Sequence, residues 1–458
     1  MSRAILIAGM ASGVGKTTFS SGIVRALRNK GYTVQPFKTG PDYLDPTYLT
    51  QAASRITRNL DTFMLPSTNL LELFNQAASQ VDICVIEGMS GLYDGKDGLS
   101  EEGSTAALAK LLGIPVLAVL DIGKVSRTAG AHALGLKLFD PALNLVGFLL
   151  NNAGSPTHAR WVQESIEATT NLPVIGWLPS NNAWALPERH LGLVPAGEDL
   201  AQLQLETKLE ALAEQIVTTV NLEQLDRLIR SPQNTFEISS SKLFPDQTLP
   251  ARVRLGLAQD AAFGFYYQDS LDLLRAWGAE IVPFSPLFDE HLPADLDGLY
   301  IGGGFPEVFA RELTANTSMR QSIAEAVSEG LPVYAECGGL MYLCQELIDF
   351  DGTHYPMVGV LPNKTIMQSQ RVKIWYAEVE AAAQHPFLAP SQRIRGHEFH
   401  WSQLEHEFER SQAAYLIPSQ NNQPEGWVRG NVIASYIHLH FGSNEKLAPQ
   451  FVRWLEKS

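Results

Sequence analysis

Short apolar runs punctuate the first half of the chain, at Ile5–Ala8, Val34–Phe37 (interrupted only by Gln35), Ile83–Ile86, Val116–Leu120, Val146–Leu150 and Val174–Trp177. Runs that are apolar at every position, not every second one, predict strands buried on both faces of a parallel sheet. Between the first two runs, residues 17 to 30 place Phe19, Ile23, Ala26 and Leu27 near helical spacing, and Gly31 follows as a stop. Strands alternating with helices predict βαβ units. The stretch 231–250 breaks the pattern with three prolines and the run Ser239-Ser240-Ser241, so it reads as a linker. Alternation then resumes at Leu255–Ala258, Ile281–Phe284, Leu299–Ile301 and Val333–Ala335. From Tyr355 onward the runs are shorter and richer in turn residues, which predicts antiparallel pairing. No internal repeat is visible. The expected fold is α/β in two domains, 1–230 and 251–458, joined by the linker.

Composition agrees with two ordinary cores. The 458 residues are 45% hydrophobic and 18% charged, too long for one core and too apolar for disorder. The net charge of −15 excludes nucleic acid and anionic membrane as expected partners, since both require a positive face. No apolar run reaches the roughly 18 residues of a membrane span. The first run, Ile5–Ala8, is too short for a signal peptide. Three cysteines, Cys84, Cys337 and Cys344, form no CxxC pair. That argues against disulfides and structural zinc and for a reducing, cytoplasmic setting.

Gly9-Met10-Ala11-Ser12-Gly13-Val14-Gly15-Lys16-Thr17-Thr18 lies between a predicted strand and a predicted helix. Small residues there let backbone N–H groups curl around phosphate oxygens at a helix N-terminus. Gly13, Gly15, Lys16, Thr17 and Thr18 are therefore candidate ATP-binding residues. Lys16 would reach the β- and γ-phosphates, and Thr17 would ligate Mg²⁺. Five residues separate Gly9 from Gly15, one more than in the commonest phosphate loop. Switch ATPases with a related loop carry a second lysine five positions before the main one. Here that position is Ala11, which favours a synthetase.

Carboxylates stand where a magnesium site wants them. Glu87 closes a predicted strand, and Asp42 and Asp45 lie in the loop after another. Ligands of open α/β sheets bind at such carboxyl ends. For the two aspartates, capping of turns beside Pro41 and Pro46 is the competing reading. Asp94 and Asp97 follow soon after Glu87.

In the second half, Val333–Ala335 leads through Glu336 into Cys337-Gly338-Gly339 and a helix-like run. A strand–Cys–Gly–Gly–helix turn exposes a thiol and offers N–H groups, that of Gly338 among them, to an oxyanion. A helix N-terminus there is expected to lower the thiol pKa. Cys84 and Cys344 read as core residues. His438 and His440 are candidate bases, His438 preferred, and His397 and His400 are candidates for substrate or structural roles. Gly303 and Gly304, in Gly302–Glu307, complete the expected oxyanion hole. No carboxylate stands two residues beyond His438, where His440 sits.

Together, Ala8–Thr18, Lys38–Pro46, Asn59–Asp61, Glu87–Gly95, Pro187–Gly192, Gly302–Glu307, Glu336–Gly339, Gly396–Ser402 and Ser435–Phe441 resemble the cobyrinate a,c-diamide synthase family. The resemblance implies a dethiobiotin-synthetase-like P-loop domain fused to a class I glutamine amidotransferase-like domain. It implies that Cys337, activated by His438, releases ammonia from glutamine, and that ATP activates a corrinoid acetate as an acyl phosphate. The family's glutaminase half typically lacks the usual triad glutamate. Phe305 stands where the family commonly has tyrosine. By the same resemblance Thr17, Asp42 and Glu87 hold metal or phosphate, and Asp45 and Asp94 handle substrate. Asn152 contacts adenine by that resemblance, with a plain turn asparagine as the competing reading, and Arg189 and His190 offer positive charge to a polycarboxylate. The implied co-substrates are ATP with Mg²⁺, glutamine and the corrinoid, with room for a homodimer. Related tetrapyrroles, hydrogenobyrinate or nickel-sirohydrochlorin, fit the same motifs. A nucleotide switch would leave Cys337 without a task, and a cysteine hydrolase would leave Lys16 without one.

Overall fold

The structure, a computed structural model, describes residues 2–181, 198–232, 242–370 and 373–457. The chain divides into two compact units, Met1–Phe63 with Leu70–Ser239, and Met64–Asn69 with Ser240–Ser458.

The first unit is built on seven strands: β1 (Arg3–Gly9), β2 (Val34–Thr39), β3 (Arg58–Leu60), β4 (Ile83–Glu87), β5 (Val116–Asp121), β6 (Leu145–Ala153) and β7 (Val174–Pro179). Their order in the sheet is β3-β2-β4-β1-β5-β6-β7, and every pairing is parallel. The unbroken apolar runs become its central strands, with Ile5, Ile7, Val85, Leu117, Val119 and Leu149 buried against Phe19, Ile23 and Leu27 of the first helix, Lys16–Asn29. Each such side chain contributes about 1.5–3 kcal/mol by leaving water. Gly22 lets that helix approach Glu198–Thr219: a Cβ there would lie 2.8 Å from Ile216 and 2.9 Å from Leu212. The parallel pairing sets the carboxyl ends of β1, β2 and β4 side by side, with Lys38 opposite Glu87 and Glu87 opposite Ile7.

The second unit contains β8 (Val253–Ala258), β9 (Phe263–Phe265), β10 (Ala279–Phe284), β11 (Gly298–Ile301), β12 (Gly303–Gly304) and β13 (Val333–Glu336). Its main sheet runs β10-β8-β11-β13, then Val432–Ser435 and Trp427–Arg429. Only the last strand is antiparallel. Beyond Tyr355, Lys373–Ala381, Arg393–His400, Tyr415–Ile417, Gln423–Glu425 and Ile437–Leu439 form a second, antiparallel sheet, as the turn-rich pattern predicts. Tyr300, Tyr334, Phe441 and Phe451 are fully buried beneath the nucleophile turn, with ring centroids 5.2 Å apart for Tyr300 and Tyr334 and 5.3 Å for Phe441 and Phe451.

Two boundaries differ from expectation. Part of the expected linker 231–250 packs on the second unit: Leu243 is buried, its carbonyl accepts from the Trp277 indole at 2.8 Å, and Leu249 N–H donates to Ala276 at 2.9 Å. Residues 64–69 belong to the second unit as well, although their sequence continues the first without a break. Among the described residues no helix is long and apolar enough to cross a membrane.

Candidate active sites

In the first unit the glycine loop leaves β1 at Gly9 and enters the helix at Lys16. Gly13 (φ 77°) and Gly15 (φ 100°) take left-handed conformations that favour glycine. At Gly15 space adds a second reason, because a Cβ would collide with the Asn151 amide. Asn151 Nδ2 donates to the Val14 carbonyl at 3.0 Å, tying β6 to the loop. Lys16 Nζ donates to the carbonyls of Ala11 at 2.8 Å and Ser90 at 2.7 Å, which keeps the ammonium over the loop. Thr17 and Thr18 lie half-buried in the first helical turn, where backbone N–H groups have no helical acceptor.

Thr17 Oγ1 donates to Glu87 Oε1 at 2.7 Å. That oxygen also accepts from Lys38 Nζ at 2.8 Å. Lys38 is fully buried and further meets Asp45 Oδ2 at 2.6 Å and Asp42 Oδ2 at 3.6 Å. Its three carboxylates outweigh burial and hold the ammonium above the ordinary lysine range. Burial pushes the Glu87 carboxyl up to about 7 against the pull of Lys38 and Thr17. Glu87 Oε2 is buried with no hydrogen-bond partner.

Among the described residues no group of three or more His, Cys, Asp or Glu side chains is arranged to hold a metal unaided. Magnesium does not need one. It is commonly bound by one or two carboxylates, water and nucleotide phosphates. The orphaned Glu87 oxygen beside Thr17, where three carboxylates face Lys38, fits such an ion. Asp42 divides its carboxylate: Oδ2 faces Lys38, while Oδ1 accepts the N–H groups of Leu44 at 2.9 Å and Asp45 at 3.2 Å, the turn-capping role. Asp94 accepts Gly91 N–H at 2.7 Å. Asn152, at φ 60°, donates to Asp121 at 3.0 Å, whereas its neighbour Asn151 is the residue on the loop. Arg189 and His190 lie outside the described residues.

In the second unit Cys337 follows β13 with φ 47° and ψ −100° and opens the helix Gly338–Leu343. Its thiol faces the Phe399 carbonyl at 3.8 Å. The glycine turn crosses directly over it. A Cβ on Gly338 would lie 3.0 Å from the Gly304 nitrogen, and one on Gly303 would collide with Cε1 of His438. The three expected oxyanion glycines and His438 are thus brought together at Cys337. His440 plays another part: its Nδ1 accepts Gly442 N–H at 3.0 Å and caps the turn Phe441–Ser443. His397 stacks on His438 with centroids 4.7 Å apart, and its Nδ1 lies 3.0 Å from the Tyr267 hydroxyl. His400 lies between Glu398 Oε1 at 2.8 Å and the Ser402 carbonyl at 2.6 Å.

The electrostatics correct one expectation. The Cys337 thiol is not acidified but raised, by burial first and by Glu307 second, and the Gly338 N–H offsets only part of this. The helix behind the thiol has six residues, little dipole to set against a buried environment. Burial lifts the Glu307 carboxyl to about 7. Burial first, and His400 second, depress His438 to about 3, while Glu398 pulls the other way. Cys84, inside β4, is pushed up to about 12 by burial, as suits a core cysteine. One consequence is measurable. Glu307→Gln should lower the thiol pKa, since a like charge beside a thiolate is removed. The pH dependence of Cys337 alkylation by iodoacetamide, followed by peptide mass spectrometry, reads this directly. An unchanged or upward midpoint contradicts it.

Residues 5–194 match the CobQ/CobB/MinD/ParA nucleotide binding domain. Residues 254–446 match the CobB/CobQ-like glutamine amidotransferase domain. Over 453 residues the chain is 42% identical to the cobyrinate a,c-diamide synthase of Dehalococcoides mccartyi strain CBDB1, covering 98% of this chain and 97% of that one. The enzyme of the same name from Priestia megaterium is 40% identical over 450 residues, with 98% and 96% covered. The chain belongs to the cobyrinate a,c-diamide synthase family. For Caldanaerobacter subterraneus subsp. tengcongensis the identity is 41% over 455 residues, with 99% and 98% covered. Within this cobyrinate a,c-diamide synthase framework, three residues escaped the sequence reading. Lys38 carries a signal in hindsight, a lysine closing an apolar strand. Glu336 carries one too, since it directly precedes the nucleophile. Asn151 carries none, because only the fold decides which of two adjacent asparagines reaches the loop.

Proposed function

We propose that this chain converts the a- and c-acetate carboxylates of cobyrinate to amides in cobalamin biosynthesis, with glutamine as nitrogen donor and ATP as activator. The observation that carries this reading is a phosphate loop with its carboxylates in one unit and a cysteine–histidine turn in the other, in a chain that aligns with relatives of that name along nearly its whole length. Cys337 Sγ attacks the glutamine side-chain amide, and His438 takes the thiol proton and returns it to the departing ammonia. The N–H groups of Gly304 and Gly338 stabilise the tetrahedral oxyanion. Water then hydrolyses the thioester to glutamate. In the first unit Lys16 and the loop N–H groups neutralise charge as a substrate carboxylate attacks the γ-phosphate and ADP leaves. Ammonia displaces phosphate from the acyl phosphate and the amide forms. Thr17 and Glu87 would hold magnesium, which would supply charge neutralisation on the phosphates. Asp42, Asp45 and Lys38 order that pocket, Asp94 handles substrate beside it, Asn152 contacts adenine, and Arg189 and His190 meet substrate carboxylates. The three cysteines are free and buried, which suits a reducing cytoplasm.

The test is product mass spectrometry after incubation of cobyrinate, hydrogenobyrinate or nickel-sirohydrochlorin with Mg·ATP and glutamine. Two successive losses of about 1 Da, one per acid-to-amide conversion, are expected for cobyrinate, with glutamate and ADP formed in step. Conversion of another tetrapyrrole in preference to cobyrinate overturns the substrate assignment. No conversion of any tetrapyrrole overturns the activity.

A further inference from the structure

A cysteine–histidine glutaminase ordinarily needs a third group to hold the imidazole in the right tautomer and to offset the charge it gains. Neither this sequence nor its family pattern puts one after His438. The fold brings one from elsewhere. We infer that Glu336, the residue immediately before the nucleophile, is the positioning residue for His438 and stands in for the absent triad carboxylate. This rests on the Cys337–His438 pair proposed above.

Glu336 Oε2 lies 4.0 Å from His438 Nδ1, with both side chains buried. The carboxylate is fixed by three donors: Tyr334 Oη and Leu439 N–H give to Oε1 at 2.8 and 2.9 Å, and Tyr300 Oη gives to Oε2 at 2.8 Å. Leu439 directly follows His438, so Glu336 grips the backbone that carries the base as well as facing its ring. The tyrosines are themselves locked, since Tyr266 packs edge-on against Tyr300 at 5.0 Å and Tyr334 against Phe451 at 5.7 Å. A separation of 4.0 Å is longer than a hydrogen bond to neutral imidazole. It suits an ion pair that tightens when His438 takes the thiol proton. The three donors oppose the burial that raises the Glu336 carboxyl to about 7.

Besides Gly303, which packs on the ring, the titratable groups His397, Glu398 and His400 act on His438 from the strand Arg393–His400. His397 stacks on the ring. Glu398 is the rival carboxylate and pulls the His438 pKa upward, but its oxygens meet His400 at 2.8 Å and the Trp375 indole at 2.6 Å, whereas Glu336 Oε2 is the carboxylate oxygen that faces His438 Nδ1. Glu336, by contrast, joins nucleophile and base through adjacent backbone on both sides. It is the last residue of β13, so the turn that aims the thiol also aims the carboxylate.

Glu336→Gln should lower kcat for glutamine-dependent amidation by about 10²-fold or more, with KM for glutamine changed less than about threefold. Synthesis from ammonia in the first unit should persist, and an unchanged rate of Cys337 alkylation with an unchanged circular dichroism spectrum shows that the second unit is folded. The acid limb of kcat/KM for glutamine should move down, because the carboxyl that must ionise to face the imidazolium, raised by burial to about 7, is gone. Tyr300→Phe leaves Glu336 in place with one donor fewer, so its carboxyl titrates higher and the acid limb should move up. Glu336→Asp should recover part of the rate. Opposite displacements in the two variants support the inference. A Glu336→Gln enzyme within threefold of the parent kcat, an acid limb unmoved in both variants, or both effects appearing in Glu398→Gln instead, overturns it. Failure of the underlying pair is distinguishable, because Cys337→Ala would then still use glutamine.

Discussion

Cys337→Ala abolishes amidation from glutamine, by about 10⁴-fold or more in kcat/KM, and leaves amidation from free ammonia in place. The reason lies in where the thiol sits. Cys337 supplies the one atom that can form a thioester at this turn, between His438 and the N–H groups of Gly304 and Gly338, and no other cysteine can replace it. Cys84 lies inside the first unit's sheet and Cys344 is fully buried. Alanine keeps the backbone turn, so the path from ammonia to amide in the first unit is untouched. The assay compares product formation with glutamine and with an excess of ammonium salt at a pH high enough to supply free base. A variant equally dead with both nitrogen sources, while circular dichroism shows it folded, contradicts a division of labour between two sites. A variant that still uses glutamine removes Cys337 from the mechanism.

Lys16→Ala produces the complementary result: no amide from either nitrogen source, a loss of about 10³-fold or more. Lys16 is anchored over the loop by the carbonyls of Ala11 and Ser90, where the proposed site takes the β- and γ-phosphates. Acyl phosphate formation concentrates negative charge there, and water in place of the ammonium does not provide a fixed counter-charge. Neighbouring Lys38 cannot take over, because its ammonium is committed to Glu87, Asp45 and Asp42. Isotope exchange from γ-labelled ATP separates the cases: Lys16→Ala should fail at phosphoryl transfer, while Cys337 in the same variant keeps its alkylation rate. Normal amidation by Lys16→Ala would overturn the phosphate site.

The parallel strands were legible because strands buried on both faces, such as Ile5–Ala8 and Val116–Leu120, are apolar at every position; β2 departs from that pattern, with Gln35, Lys38 and Thr39 buried in it. β3 was not legible: Arg58–Leu60 has three residues, two of them polar, and is held by pairing with β2. Tertiary pairing overrides local preference there. Motif residues such as Lys16 and Cys337 announce themselves because the chemistry demands an unusual backbone around them, and glycines write that backbone into the sequence. Glu336 and Lys38 do not, since each looks like the polar end of an apolar strand. Their meaning comes from neighbours far away along the chain, His438 for the first and Glu87 for the second. The direction of the Cys337 pKa was misjudged for the same reason, as burial and the Glu307 carboxylate are tertiary facts.

The backbone at Cys337 has one more consequence. With φ 47° and ψ −100°, it occupies a region that disfavours any side chain, at a cost of order 1–3 kcal/mol that the surrounding packing must outweigh. Glycine would sit there without strain and cysteine does not. Position 337 is therefore a place where natural selection for a robust fold and natural selection for chemistry oppose each other. A lineage that no longer needed glutamine would be expected to lose its nucleophile by gaining heat resistance.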